Sequence, residues 1–376
     1  MNARNPRRDR NVGRAAEHRP RGFTLIELLT VMFIIGLLIS ILIPALNSAR
    51  NAAKKSASKA VFNAIRVGLD LFKTDNERDF RQTNGYPPSY AHPPIPGFSF
   101  DPYKGEFPFQ PDKQATFPVY GAHWLPAMLM GADGQGYVKG SSVPKTGDLR
   151  TKPWLWYSKD ALGPGQQLER MPMYLDPNGV RTLRTDELIG KPNLAYFPSW
   201  ADDRGVRTLP VIVDAFDQPV LYYVANSNGR PSNMVAEDRN DKNEYVGPEQ
   251  QNGPPYYFHE DNEGFTGGEN GPGWDLGGGA HSIGIPGAEL TADKLIDLSD
   301  KTTRWSFARF ILDRKLEREL LTRIEAGESV DPATPLRPSN PDSYLLISAG
   351  ADGRYGGDFR LETTDDITNF PLAADE

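Results

Sequence analysis

One apolar segment near the N-terminus constrains the fold of this chain more than any other feature. Residues 23–43 read FTLIELLTVMFIIGLLISILI, and Glu27 is their only charged residue. A helix of this length spans roughly 30 Å, the thickness of the hydrocarbon core of a bilayer. Residues 1–22 carry a net charge of +5, because they contain seven arginines against Asp9 and Glu17. We therefore predict a single membrane span, with residues 1–22 in the cytoplasm and the rest of the chain outside.

Three interpretations of this segment compete. A secretory signal has an apolar core of about 7–15 residues before a small-residue cleavage site, whereas this run is longer and no A-x-A site follows Ile43. An ordinary anchor helix explains the length and the orientation but gives Glu27 no role. A carboxylate inside a membrane is costly unless it has a partner. A helix that is processed at its start and then pairs with another subunit accounts for all of these features.

The sequence RGFTLIELLTVMFIIGLLISILIPAL resembles the N-terminal signature of type IV prepilins and type II secretion pseudopilins. The resemblance implies that a prepilin peptidase cuts after Gly22 and methylates the amine of Phe23. It also implies that Glu27 pairs with the terminal amine of a neighbouring subunit, and that Pro44 is the proline of the assembly helix. The implied partners are the prepilin peptidase, other pilin or pseudopilin subunits and an inner-membrane assembly platform. The leader of 22 residues is longer than is usual for major pilins.

Helical periodicity continues beyond the apolar segment. Small and apolar residues recur at three- and four-residue spacing from Ala45 to Phe72, and basic residues occupy much of the other face. We predict one helix from Phe23 to about Asp75, kinked or loosened at Pro44. The predicted organisation is a leader (1–22), a transmembrane half-helix (23–43), a periplasmic half-helix (44–76) and a globular periplasmic head (77–376).

The implied fold class is α+β and pilin-like. It consists of the long N-terminal helix packed on an antiparallel β-sheet, with large loop-rich insertions. In the head, the segment PVIVDAFDQPVLYYV predicts two strands that flank a DAFDQP turn. This segment resembles the sheet of major pseudopilins, and Asp214 and Pro219 are the residues that match.

Two shorter helices are predicted in the head. One covers residues 122–130, and the other is an amphipathic helix over residues 305–325 that has Gly327 as its C′ residue. Residues 226–290 have no such periodicity and are rich in Asn, Gly, Asp and Glu. We therefore interpret residues 226–340 as an insertion into the head.

The C-terminal sequence SYLLISAGADGRYGGDFRLETTDDITNF predicts a strand at Tyr344–Ser348 followed by a loop, 348–370, rich in Gly and Asp. It resembles the C-terminal loop of major type II pseudopilins, which binds calcium through carboxylates and backbone carbonyls. The resemblance implies the following ligands: Asp352, Asp358, Asp365 and Asp366. Calcium accepts six to eight hard oxygen ligands in an irregular loop, which suits this segment better than magnesium or zinc would. The alternative is an acidic turn whose carboxylates accept from backbone amides.

Charge and composition exclude several classes of function. The whole chain carries −7 and residues 1–22 carry +5, so residues 23–376 carry −12. A body this acidic does not favour a nucleic acid as ligand. The absence of cysteine excludes disulfides, thiolate metal sites and a cysteine nucleophile. No G-x-S-x-G, Walker or H-E-x-x-H motif occurs, and His259 and His281 lack organised partners in the sequence, so we do not expect an enzyme.

The favoured function is a structural subunit of a type II secretion pseudopilus or a type IV pilus-like fibre. The alternative is a low-copy minor pilin that acts as an adhesin or a cargo-recognising tip protein through the insertion at 226–340. A third class is a hydrolase or a carbohydrate-binding module displayed on a pilin stalk. The sequence alone does not distinguish secretion from adhesion or DNA uptake.

Overall fold

The helices and strands of the chain form an α+β fold, as predicted. The computed structural model describes residues 23–77, 80–89, 120–131, 133–138, 168–188, 209–230, 234–236, 254–266, 281–296, 306–356 and 364–372. Within these ranges the α-helices are α1 (Leu25–Asn76), α2 (Gly121–Met130), α3 (Thr185–Leu188), α4 (Glu263–Thr266), α5 (Phe307–Ile311) and α6 (Arg314–Glu325). The strands are β1 (Thr182–Arg184), β2 (Pro210–Ile212), β3 (Leu221–Val224), β4 (Val235–Ala236), β5 (Tyr257–Phe258), β6 (Tyr344–Ser348) and β7 (Ile367–Thr368).

The strands form three small sheets. β1 and β2 pair antiparallel, and β4 and β5 pair parallel. The central sheet has the order β3–β6–β7 and is antiparallel throughout. By its contacts the chain divides into two compact units, Met1–Ala52 and Ala53–Glu376.

The part of α1 that lies in the first unit is apolar on all sides. Every large apolar side chain from Phe23 to Leu46 is exposed, and Phe23 and Leu25 reach 75% and 81% exposure. A helix that is hydrophobic all round is unfavourable in water and fits a hydrocarbon environment. By length and composition, α1 is able to cross a membrane.

The part of α1 that lies in the second unit is amphipathic. Phe62, Ile65, Leu69 and Phe72 follow a three- and four-residue spacing and are buried. They join one hydrophobic cluster with α2 and with one face of the central sheet. At Gly68 a Cβ would lie 2.9 Å from the carbonyl oxygen of Tyr174, so a side chain there would push the two segments apart.

Both faces of the central sheet are buried. Along β3, Tyr222 and Val224 face the α1 cluster, whereas Leu221 and Tyr223 face a second hydrophobic cluster. β6 alternates in the same way along Tyr344–Ser348. The described parts of the predicted insertion, including α4, α5 and α6, supply much of this second cluster. They therefore form a second layer of the core.

The predicted turn between two strands is confirmed. Asp214 N–H donates to the Gln218 carbonyl at 2.9 Å, and Val213 pairs with Pro219 in an antiparallel bridge. β2 then pairs mainly with β1, while β3 pairs with β6. The chain thus passes from one sheet to the other at this turn.

The predicted helix over residues 122–130 is confirmed as α2, whose residues are all buried. The single helix predicted over 305–325 is wrong, because the chain is helical only in two pieces, α5 and α6. Asp313 separates them with extended backbone, and its Oδ1 accepts from the amides of Lys315 and Leu316 at 3.0 and 3.1 Å. An aspartate in this position begins a new helix.

The end of α6 follows the prediction at Gly327. This glycine has φ +81°, and its N–H donates to the carbonyl of Ile324 while Glu328 N–H donates to Arg323. Both bonds are those of a Schellman motif, which requires a left-handed residue at C′.

Candidate functional sites

The first candidate site is the start of α1. Phe23 and Thr24 are not helical, and Thr24 is followed by Glu27 in the first turn. The backbone N–H and the hydroxyl of Thr24 both donate to Glu27 Oε2 at 2.8 Å. The N–H of Glu27 lies 3.3 Å from Thr24 Oγ1. These reciprocal contacts form a capping box, in which the Glu27 carboxylate accepts from the backbone N–H of the N-cap residue Thr24.

The capping box has a sequence signal that our sequence analysis missed. The pattern T-x-x-E occurs at residues 24–27 immediately before an apolar helical run, which is the signature of such a cap. Glu27 is exposed within the first unit, and among the described residues only Thr24 hydrogen-bonds to its carboxylate. The carboxylate thus uses only one of its two oxygens in the cap.

Pro44 lies inside α1, and the helix continues through it. Proline supplies no backbone N–H, so the carbonyl of Ser40, four residues earlier, loses its helical donor. Gly22, the residue before the predicted cut, lies outside the described residues.

The second candidate site is the loop that follows β6. Gly350 has φ +67°, and a Cβ there would lie 2.3 Å from the carbonyl oxygen of Asp365. Asp365 Oδ2 accepts from the amides of Ala351 and Asp352 at 2.5 and 3.0 Å. Asp352 in turn accepts from the amide of Arg354 at 2.7 Å. Two of the predicted ligands therefore meet in this loop, and both accept from its backbone.

Asp366 is more deeply buried than its neighbours. It is 4% exposed, its Oδ2 accepts from the Thr364 hydroxyl, and its buried Oδ1 has no hydrogen-bond partner of ordinary geometry among the described residues. Burial raises the pKa of Asp366 well above its ordinary value; the Thr364 hydroxyl and Gly356 amide oppose this, while Asp352 and Asp365 add to it. An ionised carboxylate in this position needs a cation or a proton.

Asp352 also has a perturbed ionisation. Its side chain reaches the surface, but the surrounding loop shields it in part, and this desolvation raises its pKa to about 6. The amide of Arg354 opposes the shift, and the negative charge of Asp365 adds to it. The negative charge of Asp365 therefore disfavours the ionisation of Asp352 and Asp366, as expected of oxygen ligands whose charge is not neutralised.

The described residues do not form a complete metal site. Among them, no group of three or more His, Asp or Glu side chains converges to hold an ion. Asp358, the remaining predicted ligand, lies outside the described ranges. Calcium binds carboxylate and carbonyl oxygens. The observation that favours a cation here is the buried Oδ1 of Asp366, which has no hydrogen-bond partner among the described residues.

Comparison with known proteins bears on the first site. The family model described as the prokaryotic N-terminal methylation motif matches residues 18–43. The chain has the N-terminal segment of a type IV pilin-like protein. No curated protein and no solved structure matches the chain. The motif match includes Gly22, Phe23 and Glu27 and ends one residue before Pro44.

This match confirms the resemblance of the N-terminal segment to that of prepilins. The motif characterises structural rather than catalytic proteins, and it implies processing by prepilin peptidase and assembly with other pilins. It does not extend to the head or to the C-terminal loop. The roles of Gly22, Phe23, Glu27, Pro44 and the aspartates all stay predictions.

Three histidines of the second unit are buried and neutral. His123 Nδ1 accepts from the Tyr120 amide at 3.2 Å, so its Nε2 carries the proton and donates to Thr185. His259 Nε2 donates to the carbonyl of Ile283 at 2.9 Å, and His281 Nδ1 accepts from the Tyr355 amide at 3.1 Å. Burial lowers the pKa of His123 to about 3 and those of His259 and His281 to about 4. His259 and His281 therefore have organised partners that the sequence did not indicate.

Proposed function

We propose that this chain is a structural subunit of a type II secretion pseudopilus or a type IV pilus-like fibre. The observation that carries the proposal is the methylation motif at residues 18–43, which includes most of the apolar, exposed part of α1. Prepilin peptidase cuts after Gly22 and methylates Phe23. The mature subunit is anchored in the inner membrane with its head in the periplasm, and an assembly platform then extracts it into the fibre.

In the proposed fibre, Glu27 changes partner. In the single chain it caps its own helix through Thr24. A charged amine at Phe23 of a neighbouring subunit offers a stronger partner, because opposite charges attract strongly where water is scarce. Glu27 is the only charge between residues 23 and 43, so this pair would fix the stagger between adjacent helices.

Cleavage is tested by replacing Gly22 with leucine in cells that contain the peptidase. The bulky side chain should block the cut and leave full-length precursor in the membrane. Gly36→Leu is the matched control, because Gly36 lies in the same segment and a Cβ there meets no atom within 4 Å. Mass spectrometry of the unsubstituted protein should find methylated Phe23 as its first residue; an intact leader would refute the proposal.

Calcium at the C-terminal loop is part of this proposal. Asp352, Asp365 and Asp366 would supply carboxylate oxygens, with Asp358 and backbone carbonyls completing the shell. The support is the buried Oδ1 of Asp366, which has no hydrogen-bond partner among the described residues, and the negative charge of Asp365 beside Asp352 and Asp366. A bound calcium would neutralise this charge and fix the loop against β6 in a head that has no disulfides.

A low-copy minor pilin is the second candidate function. The head is large, and described parts of residues 226–340 thicken it with a second core layer on the central sheet. A bulky head favours a position at the fibre tip over positions along the shaft. Quantifying this subunit against the other pilins in sheared fibres decides between the two, since a majority subunit is incompatible with a tip role.

A further inference from the structure

A groove lined by polar and charged residues together with Phe62 and Tyr86 runs beside the second-unit part of α1. Its volume is about 440 Å³, within the range of specific binding sites. One wall is a stripe of α1 at four-, three- and four-residue spacing, and the other wall is formed by the residues that flank β6 and β7. The α1 stripe consists of Lys59, Asn63, Arg66 and Asp70; the other wall consists of Asn340, Ser343, Tyr344, Thr368 and Asn369.

The charged side chains of the groove have no ion-pair partner among the described residues. Lys59, Arg66 and Asp70 are exposed, and none of them forms an ion pair or a side-chain hydrogen bond with the described residues. Arg66 and Asp70 are four residues apart on one helix, a spacing at which a pair can form, yet they remain separate. The groove therefore presents to a ligand two cations that no described residue pairs, with the carboxylate of Asp70 beside them.

The Tyr344 hydroxyl adds a donor to the same groove. Tyr344 is 4% exposed and lines the groove, but no described residue accepts from its hydroxyl. Burial, with Asp70 nearby, raises the pKa of Tyr344, so the hydroxyl stays protonated. Asn63 is also exposed and lacks a side-chain partner among the described residues. A carboxylate ligand would meet two cations and a hydroxyl donor here.

The charge of the rest of the chain is complementary to this groove. Residues 50–73 carry six basic side chains and one acidic one, a net charge of +5, whereas residues 74–376 carry −16. The cations of the groove on one copy and the net negative charge of the remainder of another copy therefore attract each other. Because the two surfaces differ, their contact is heterologous, and a heterologous contact that does not close generates an open filament.

We propose that the Lys59–Arg66 groove binds an acidic segment of a second copy of this chain and sets the contact between successive heads. The inference rests on the proposed function, because successive heads lie side by side only if the chain assembles into a filament. Carboxylates of the second copy pair with Lys59 and Arg66 and accept from the Tyr344 hydroxyl. The cations also steer the approach of the acidic head. A hydroxyl-rich carbohydrate and an unrelated acidic protein are the competing occupants.

The test is a photo-crosslinking amino acid at Asn63 in the full-length chain, in cells that assemble fibres. We expect a crosslinked dimer in the sheared fibres, with the crosslinked peptide of the second copy rich in Asp and Glu. Arg66→Glu should lower the dimer yield roughly tenfold or more, while Arg66→Lys keeps most of it. The same crosslinker at Met173, which is 53% exposed and outside the groove, is the position control.

The outcomes separate this inference from the proposed function. If processed chains form fibres but Asn63 crosslinks to carbohydrate, to another protein or to nothing, the groove assignment is wrong and the fibre role stands. If Arg66→Glu and Lys59→Glu both leave the dimer yield unchanged, the groove assignment is likewise wrong and the fibre role stands. If the unsubstituted chain is never cleaved and never enters fibres, both the proposed function and this inference fail.

Discussion

Ser348 donates a 2.7 Å hydrogen bond to Oδ2 of Asp214, and so joins β6 to the turn between β2 and β3. The other oxygen, Oδ1, accepts from the amides of Phe216 and Gln218 at 2.8 and 2.9 Å. Ser58 of α1 lies 3.4 Å from Oδ2 and also accepts from the Ala215 amide. One buried carboxylate therefore holds helix, turn and sheet together in the second unit.

Substitutions at Asp214 test these hydrogen bonds. Asp214→Ala leaves the two turn amides and the Ser348 hydroxyl without an acceptor inside the protein, which should cost roughly 2–4 kcal/mol of unfolding free energy. Asp214→Asn keeps an oxygen for the amides, and the serine hydroxyls can rotate to accept from its NH₂ group. We therefore expect it to cost roughly half as much or less. Denaturant unfolding of the full-length protein in detergent measures both, and equal costs would contradict the assigned bonds.

The capping box at the start of α1 makes a second prediction. Thr24→Ala removes the hydroxyl of the cap, which should cost about 1 kcal/mol of local helix stability. In hydrogen exchange of the detergent-solubilised mature protein, the amides of the first helical turn should then exchange about fivefold faster. Thr24→Ser keeps the hydroxyl and should exchange like the unsubstituted protein. Unchanged exchange in Thr24→Ala would show that Glu27 has another partner.

The buried histidines predict how stability depends on pH. His259 has a pKa of about 4 in the folded protein and about 6.5 when unfolded. Between these values the unfolded chain binds more protons, so the unfolding free energy falls as pH decreases below 6.5. From about pH 7 to about pH 5 the loss for this one group is about 2 kcal/mol.

His259→Gln isolates this contribution. Glutamine can still donate to the carbonyl of Ile283 but does not titrate, so the variant should lose less stability than the unsubstituted protein over the same pH range. The raised pKa values of Asp352 and Asp366 act in the opposite direction, because their folded forms bind protons more tightly. Both aspartates are present in the variant and in the unsubstituted protein, so their contributions cancel when the two pH profiles are subtracted. Parallel pH profiles for the two proteins would contradict a neutral, buried His259.

The sequence predicted those features that depend on local pattern. The apolar run, the periodicity of α1, the turn at Asp214 and the glycine at 327 each have a signal within a few residues, and the structure contains all four. The capping aspartate at 313 also has a local signal, but the continuous apolar periodicity on both sides of it favoured a single helix. The T-x-x-E cap at residues 24–27 was overlooked for a similar reason, because the membrane pattern dominated that segment.

Features that depend on distant contacts were not predictable in the same way. The runs LYYV in β3 and YLLIS in β6 are apolar without alternation, which indicates strands buried on both faces. The sequence did not reveal what covers the second face, since α5 and α6 reach it from a segment with no strand pattern. The partners of His259 and His281 are likewise distant in sequence, and only the fold brings them together.

The cation proposed for the C-terminal loop makes a two-sided prediction for Asp366. Calcium at a concentration 100-fold above its Kd should raise the unfolding free energy of the full-length protein by about 2.7 kcal/mol, and Asp366→Asn should abolish most of this gain. In chelator the same variant should be more stable than the unsubstituted protein near neutral pH, because it removes the penalty of ionising a buried carboxylate with an orphaned oxygen. Asp331→Asn, an exposed change outside the loop, is the control. A calcium response that survives in Asp366→Asn would refute this role, because the ion would then bind without the Asp366 carboxylate. A variant that is less stable in chelator would also refute it, because the carboxylate would then be satisfied within the protein.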